Sequence, residues 1–293
     1  MRNLHLLLSI LLALLMMACE KLELPEEDAA PQSQGNLTLS VFQLEQTPFA
    51  ASTRAVASDV CTRVNFGIYD TEGNRVKQTN QKLGDDNFGT ASFQLPEGTY
   101  QLVVVAHSSN GNPTMTDPTK IQFTKAKGFT DTFMYNTTIT IGSEPKTMSL
   151  SLHRIVALCR FVIEDKIPHN VAKLRFLYKG GSGTFNAATG LGNPNSTQQT
   201  VEFNVNEGST STQYDLYTFL PKTEGTIELT ATAYDAADNA LYEHVYSNIP
   251  MQQNRITWYS GSFFTGKTPT SSQAFTATLS IDEKWEEEIR LTY

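Results

Sequence analysis

The chain has 293 residues, with 22 Lys and Arg against 30 Asp and Glu and a formal net charge of −8. That acidic balance argues against nucleic acid as a partner, because phosphate contacts need clustered Lys and Arg. Gly, Thr, Ser, Asn, Tyr and Phe are plentiful and long apolar helical stripes are missing, so composition points to an all-β chain long enough for two ordinary domains or one large one.

The first segment is a short apolar run. Arg2 supplies a positive start, and Leu4 to Ala18 is nearly unbroken apolar sequence. A run of about 15 residues is shorter than the roughly 20 that a spanning helix needs, and it reads as a secretory signal that is removed. The run ends Leu14-Leu15-Met16-Met17-Ala18-Cys19. This resembles the lipobox of bacterial lipoproteins, in which cleavage falls between Ala18 and Cys19 and Cys19 is acylated. Lipid on one residue holds a chain at a membrane surface without spanning it. Residues 1–18 are therefore expected to be the signal peptide, and removing them takes away Arg2 and no acid, so −8 becomes −9. Residues 19–36 follow as an acidic tether, with five acids and two prolines in EKLELPEEDAAPQSQGN.

From Leu37 the pattern alternates with period two. Leu37, Leu39 and Val41 share one face, as do Val64, Phe66 and Ile68. Ala91, Phe93 and Leu95 lead into the turn Pro96-Glu97-Gly98, and Tyr100 to Ala106 returns as an almost continuous apolar strand. Such units are hairpins. Further strands are expected at Phe133–Ile141, Met148–Leu152, Ile155–Ile163, Leu174–Tyr178, Val201–Val205, Tyr214–Leu220, Ile227–Tyr234, Leu241–Tyr246, Ile256–Tyr259 and Phe275–Ile281. Many short strands with Gly, Pro, Asn and Asp turns indicate β-sandwiches.

Two stretches echo each other. Phe93 to Leu102 and Phe219 to Leu229 each carry a strand ending in Leu-Pro, a Glu-Gly-Thr turn and a returning strand. Upstream, Val64 to Tyr69 parallels Leu174 to Tyr178. One sandwich topology used twice accounts for both, with domains at 37–147 and 148–293 and a boundary near Ser143–Ser149.

Candidate chemistry is sparse. No Gly-x-Ser-x-Gly elbow occurs, and the histidines His107, His153, His169 and His244 lack metal-ligand spacing. No catalytic residue, metal or cofactor is expected. Asp235-Ala236-Ala237-Asp238-Asn239 reads as a turn, with weak calcium binding as the alternative. Cys61 and Cys159 are a candidate disulfide in an oxidising compartment; alternatively Cys159 packs as a small apolar core residue and Cys61 stays free. Trp258 and Tyr259, with Phe263 and Phe264, form either a sugar-binding aromatic platform or sandwich core and interface.

At Leu152 to Asp165 (LHRIVALCRFVIED), Ile249 to Phe264 (IPMQQNRITWYSGSFF) and Phe93 to Ser109 the sequence resembles the fimbrial anchor and accessory lipoproteins of Bacteroidales-type fimbriae, the FimB/Mfa-like family. The resemblance covers most of residues 37–293 and includes a late Trp, here Trp285. It implies two tandem transthyretin-like Greek-key sandwiches and a role in anchoring or assembling a fimbrium at the outer membrane. The implied partners are fimbrial stalk subunits, the outer membrane through lipid, and a host glycan or protein receptor where the chain is a tip adhesin. It also implies that the acidic run after Cys19 serves surface export. In stalk subunits of such fibres an Arg-specific protease cuts after an Arg placed like Arg54, before Ala55, and removes the first strand. In an anchor that bond stays intact. The stretch Ala274 to Tyr293 either ends the second sandwich or is donated to a neighbour.

Overall fold

A computed structural model describes residues 35–45, 57–124, 130–194, 197–265 and 276–279. Eighteen strands and one four-residue helical turn, α1 (Ala57–Val60), make up the described elements. The all-β expectation holds. The reason is the alternation itself, which gives each strand one face to bury and leaves no 3.6-residue stripe for a helix.

The first sandwich is a seven-stranded sheet folded over at one corner. Its strands are β1 (Leu37–Glu45), β2 (Arg63–Tyr69), β3 (Arg75–Lys82), β4 (Thr90–Phe93), β5 (Gly98–His107), β7 (Thr132–Ile141) and β8 (Lys146–Arg154). One limb runs β3-β2-β5-β7 and the other β8-β1-β4. They meet at two pairs, Phe133↔Arg154 and Met134↔His153. Between the limbs lies an apolar core that includes Leu39, Phe66, Phe93, Leu102, Val104 and Leu150.

The second sandwich pairs a β13-β10-β15-β16 sheet with a β14-β9-β17-β18 sheet. These are β9 (Ala157–Ile163), β10 (Lys173–Lys179), β13 (Gln198–Asn204), β14 (Thr212–Thr218), β15 (Glu224–Tyr234), β16 (Ala240–Gln252), β17 (Ile256–Gly261) and β18 (Thr276–Leu279). Phe161, Phe176, Leu216, Leu229 and Tyr259 are part of its core. The strand order repeats that of the first sandwich. β1 is antiparallel to β4 and parallel to β8; β9 is antiparallel to β14 and parallel to β17. The sequence echo falls on equivalent elements, β2 with β10 and the β4–β5 turn with the turn between β14 and β15.

The sequence boundary at 147/148 needs correction. β8 crosses it and pairs with β1 over eight residue pairs, so Met148 to Arg154 complete the first sheet. Period-two alternation on either side of residue 148 is the same, and only pairing shows which sheet a strand joins.

Two insertions join the sandwiches. β6 (Ile121–Gln122) comes from the segment between β5 and β7, and β11 (Thr184–Asn186) and β12 (Leu191–Gly192) from that between β10 and β13. They make a three-stranded sheet through Phe185↔Ile121 and Thr184↔Gln122. Beneath it a third apolar cluster draws on both halves, including Val103, Val105, Met115, Phe185, Phe219 and Ile256. This explains why β5 reads as continuously apolar: Leu102 and Val104 face the first core, while Val103 and Val105 face the third.

Candidate functional site: the first-strand slot and the junction

β1 sits between β4 and β8 and sends Leu37, Leu39, Val41 and Leu44 into the core, all 7% exposed or less. Each such side chain contributes about 1.5–3 kcal/mol relative to exposure. The strand is latched where the tether ends. Asn36 donates from Nδ2 to Leu95 O at 2.7 Å and accepts Leu95 N on Oδ1 at 2.9 Å. Its carbonyl accepts Lys146 N at 2.8 Å, so one residue ties the start of β1 to β8 on one side and to the chain just past β4 on the other. Gly35 is needed here, because a Cβ would lie 2.3 Å from Phe93 O.

The second part is the passage from β8 to β9. Arg154, Ile155, Val156 and Ala157 follow one another with at most 4% exposure, leaving no linker between the sandwiches. Arg154 makes a two-pronged ion pair with Asp131, Nε to Oδ1 at 2.7 Å and Nη2 to Oδ2 at 2.8 Å. It donates from Nη1 to Asn254 Oδ1 at 3.1 Å and lies 4.8 Å over the Phe133 ring. Asn254 belongs to the turn between β16 and β17, with φ +58°, and its amide donates to Val156 O at 2.8 Å. Gln253 adds Nε2 bonds to Ile155 O at 3.1 Å and Gly190 O at 3.0 Å. The apolar side is built on Phe219, 4.8 Å from the Phe185 ring and 6.0 Å from that of Phe123.

A buried polar group closes the cluster. His107 meets Phe123 edge-on at 4.9 Å. Ser109 N donates to its Nδ1 at 3.1 Å, so Nε2 carries the proton and donates to Asn65 Oδ1 at 2.8 Å. Burial, and then the nearby Arg63 charge, push its pKa down to about 3.

The sequence-predicted residues divide three ways. Ala18, Cys19, Arg54 and Ala55 lie outside the described residues, as does Trp285. Cys61 and Cys159 are both free and buried, Cys61 in the first core and Cys159 in the second, which corrects the disulfide expectation. Burial pushes both thiols up, away from the reactive thiolate. Trp258 and Tyr259 point to opposite faces of β17, as neighbours on a strand must. Tyr259 is core, 9% exposed and packed near Phe161 and Tyr246. Trp258 lies on the other face with the Arg160 guanidinium 4.9 Å from its ring. Arg160 also forks onto Asp215 at 2.7 and 2.8 Å. The two aromatics therefore make no joint platform. Asp235, the weak calcium alternative, spends its carboxylate on the Ala237 and Asn239 amides and the Asn239 side chain. Among the described residues no three His, Cys, Asp or Glu are grouped to hold a metal, and no helix is long and apolar enough to cross a membrane.

Sequence reasoning missed Asn36 and Asp131, and it quoted Gln253 and Asn254 within Ile249 to Phe264 without giving them a role. A Gly-Asn pair before the first strand and a Gln-Asn pair between two strands were the available signals. The ion pair across 23 positions left none.

These features define a tandem β-sandwich protein whose modules share a core. Residues 29–293 match the model of a family of unknown function, DUF6562, and the chain belongs to that family. No curated protein matches it. Among solved structures it is similar to a candidate cell adhesion protein from Bacteroides ovatus at 13% identity, with 86% of this chain and 97% of that chain covered and a TM-score of 0.48. It is also similar to the fimbrial anchor protein Mfa2 from Porphyromonas gingivalis, at 10% identity, 71% and 80% coverage and a TM-score of 0.42. A fimbrial assembly protein from Parabacteroides distasonis matches at 11% identity, 80% and 91% coverage and a TM-score of 0.37.

Proposed function

We propose that the protein is a lipid-anchored structural subunit of a fimbrium, held at the outer membrane through Cys19 and exposed on the cell surface. The observation that carries this reading is the placement of β1. The strand next to the tether is the middle strand of its limb, parallel to β8 and latched by Asn36. A pull arriving from Cys19 enters at the start of β1 and leaves at the end of β8, straight into β9. In that geometry the parallel ladder is loaded along its length, so its pairs share the load. The buried junction transmits the load, since a large apolar interface suppresses the domain motion expected of a linker.

A cut after Arg54 would instead free β1 together with the lipid and open a slot between β4 and β8 for a partner strand. The alternative role, a tip adhesin or glycan-binding lipoprotein, has less support, because Tyr259 is turned into the core. Mass spectrometry of the mature N-terminus tests the reading. An acylated Cys19 followed by intact residues 20–54 is expected; an N-terminus at Ala55 would refute the anchor role.

A further inference from the structure

The repeated strand order leaves one strand without a counterpart. The Leu-Pro turns after β4 and β14 align the two sandwiches, placing Phe93 opposite Leu37 where Thr218 stands opposite Ala157. Leu39 then corresponds to Cys159, and Met148–Ser151 of β8 to Thr257–Ser260 of β17. In the second sandwich the far edge of Thr257–Ser260 is paired antiparallel with β18, from Thr257↔Leu279 to Ser260↔Thr276. In the first, β7 meets only His153 and Arg154, and no strand lies on the far side of Met148–Ser151 among the described residues.

That edge is open and unguarded. Thr147 and Ser149 are exposed, and the stretch Thr147–Ser151 carries neither charge nor proline. The outer strand of the other limb, β3, presents exposed Arg75, Lys77 and Lys82, charges of the kind that keep edges from pairing. Lys146 is the nearest cation, and its Nζ is turned back to Thr140 O at 3.3 Å.

We infer that the β8 edge at Met148–Ser151 is an acceptor for an extended strand of a partner protein, added antiparallel while β1 stays in place. The partner strand alternates threonine with apolar residues, as Thr276-Ala277-Thr278-Leu279 does, because the same strand position in the duplicate sandwich takes that sequence. Main-chain hydrogen bonds supply the affinity and the alternation fixes the face. The inference rests on the reading of the chain as a fibre subunit and names where its neighbour attaches. It differs from strand exchange, which needs β1 to leave.

The test uses the chain without its signal peptide and a synthetic peptide of residues 272–283, read by amide hydrogen exchange. The peptide is expected to slow exchange at residues 146–151 about tenfold, equivalent to about 1.4 kcal/mol. A Thr147→Lys, Ser149→Lys double variant should lose that protection with its unfolding midpoint unchanged. No protection at 146–151 with millimolar peptide overturns the inference. So does protection confined to 256–261, where the peptide merely replaces β18. Protection that rises with protein concentration in the absence of peptide assigns the edge to a second copy and also overturns it. If Cys19 is acylated, residues 20–54 are intact and yet no protection appears, the edge assignment fails and the anchor reading stands.

Discussion

Arg154 and Asp131 face each other in a two-pronged ion pair, Nε to Oδ1 at 2.7 Å, with the Arg154 side chain 2% exposed and that of Asp131 22%. The pair sits where β8 becomes β9, so it holds the loop before β7 against the chain passing into the second sandwich. Removing one partner from such a site strands the other. Arg154→Ala is expected to cost about 3–5 kcal/mol of unfolding free energy. A double variant, Arg154→Met with Asp131→Leu, should recover part of that loss, because no unpaired charge remains. Urea unfolding of both variants measures the difference.

Gly181 tests the packing of the junction from another side. A Cβ there would lie 1.8 Å from Thr218 Oγ1, and Thr218 is fully buried. Gly181→Ala should therefore destabilise by about 1–3 kcal/mol through overpacking. Gly225, on β15, has nothing within 4 Å of its would-be Cβ. Gly225→Ala should change the thermal midpoint little, and comparing the two variants separates crowding from the general effect of replacing glycine.

His107 makes stability depend on pH. Its folded pKa is depressed to about 3, while an unfolded histidine titrates near 6.5. As pH falls through about 6.5 the unfolded chain takes up a proton that the folded chain refuses, so stability declines by about 1.4 kcal/mol per pH unit until the folded pKa is reached. His107→Gln should flatten the slope between about pH 6 and 4 in denaturant midpoints, even though it lowers stability at pH 7.

The parallel ladder predicts a directional mechanical response. Pulling from a tag ahead of Gly35 against a handle at Ala237→Cys loads β1 and β8 in shear. Pulling from the same tag against Glu144→Cys peels β1 from its Leu37↔Lys146 end, one pair after another. Forced unfolding reports the barrier to leaving the native state. Single-molecule force measurements should give a severalfold higher peak force in the first geometry; equal forces would remove the mechanical argument for the anchor reading.

Residue alternation alone determined the β class and most of the strands, and the repeated Leu-Pro turns marked the internal repeat. The hairpin expected at Pro96-Glu97-Gly98 is instead a crossing between limbs, with β4 paired to β1 and β5 to β2 and β7, because alternation does not record which strand a neighbour in the chain pairs with. Leu152 to Asp165, which the structure places at the junction, stood out by its resemblance to fimbrial lipoproteins and not by alternation. Alternation missed β3, whose side chains are mostly exposed and polar, and β6, β11 and β12, which are too short to show a period.

What only the tertiary structure decided is partnership. Alternation records that a side chain is covered, and not which element covers it. Cys61 and Cys159 are a candidate pair in the sequence and lie in different cores. Met148 to Arg154 pattern like the start of a second domain, and hydrogen bonds to β1 give them to the first. Trp258 and Tyr259 are neighbours in the chain and are separated by the pleat. Arg154 finds Asp131 and Asn254 because folding brings them together at distances of 23 and 100 residues along the chain, separations over which local pattern carries no information.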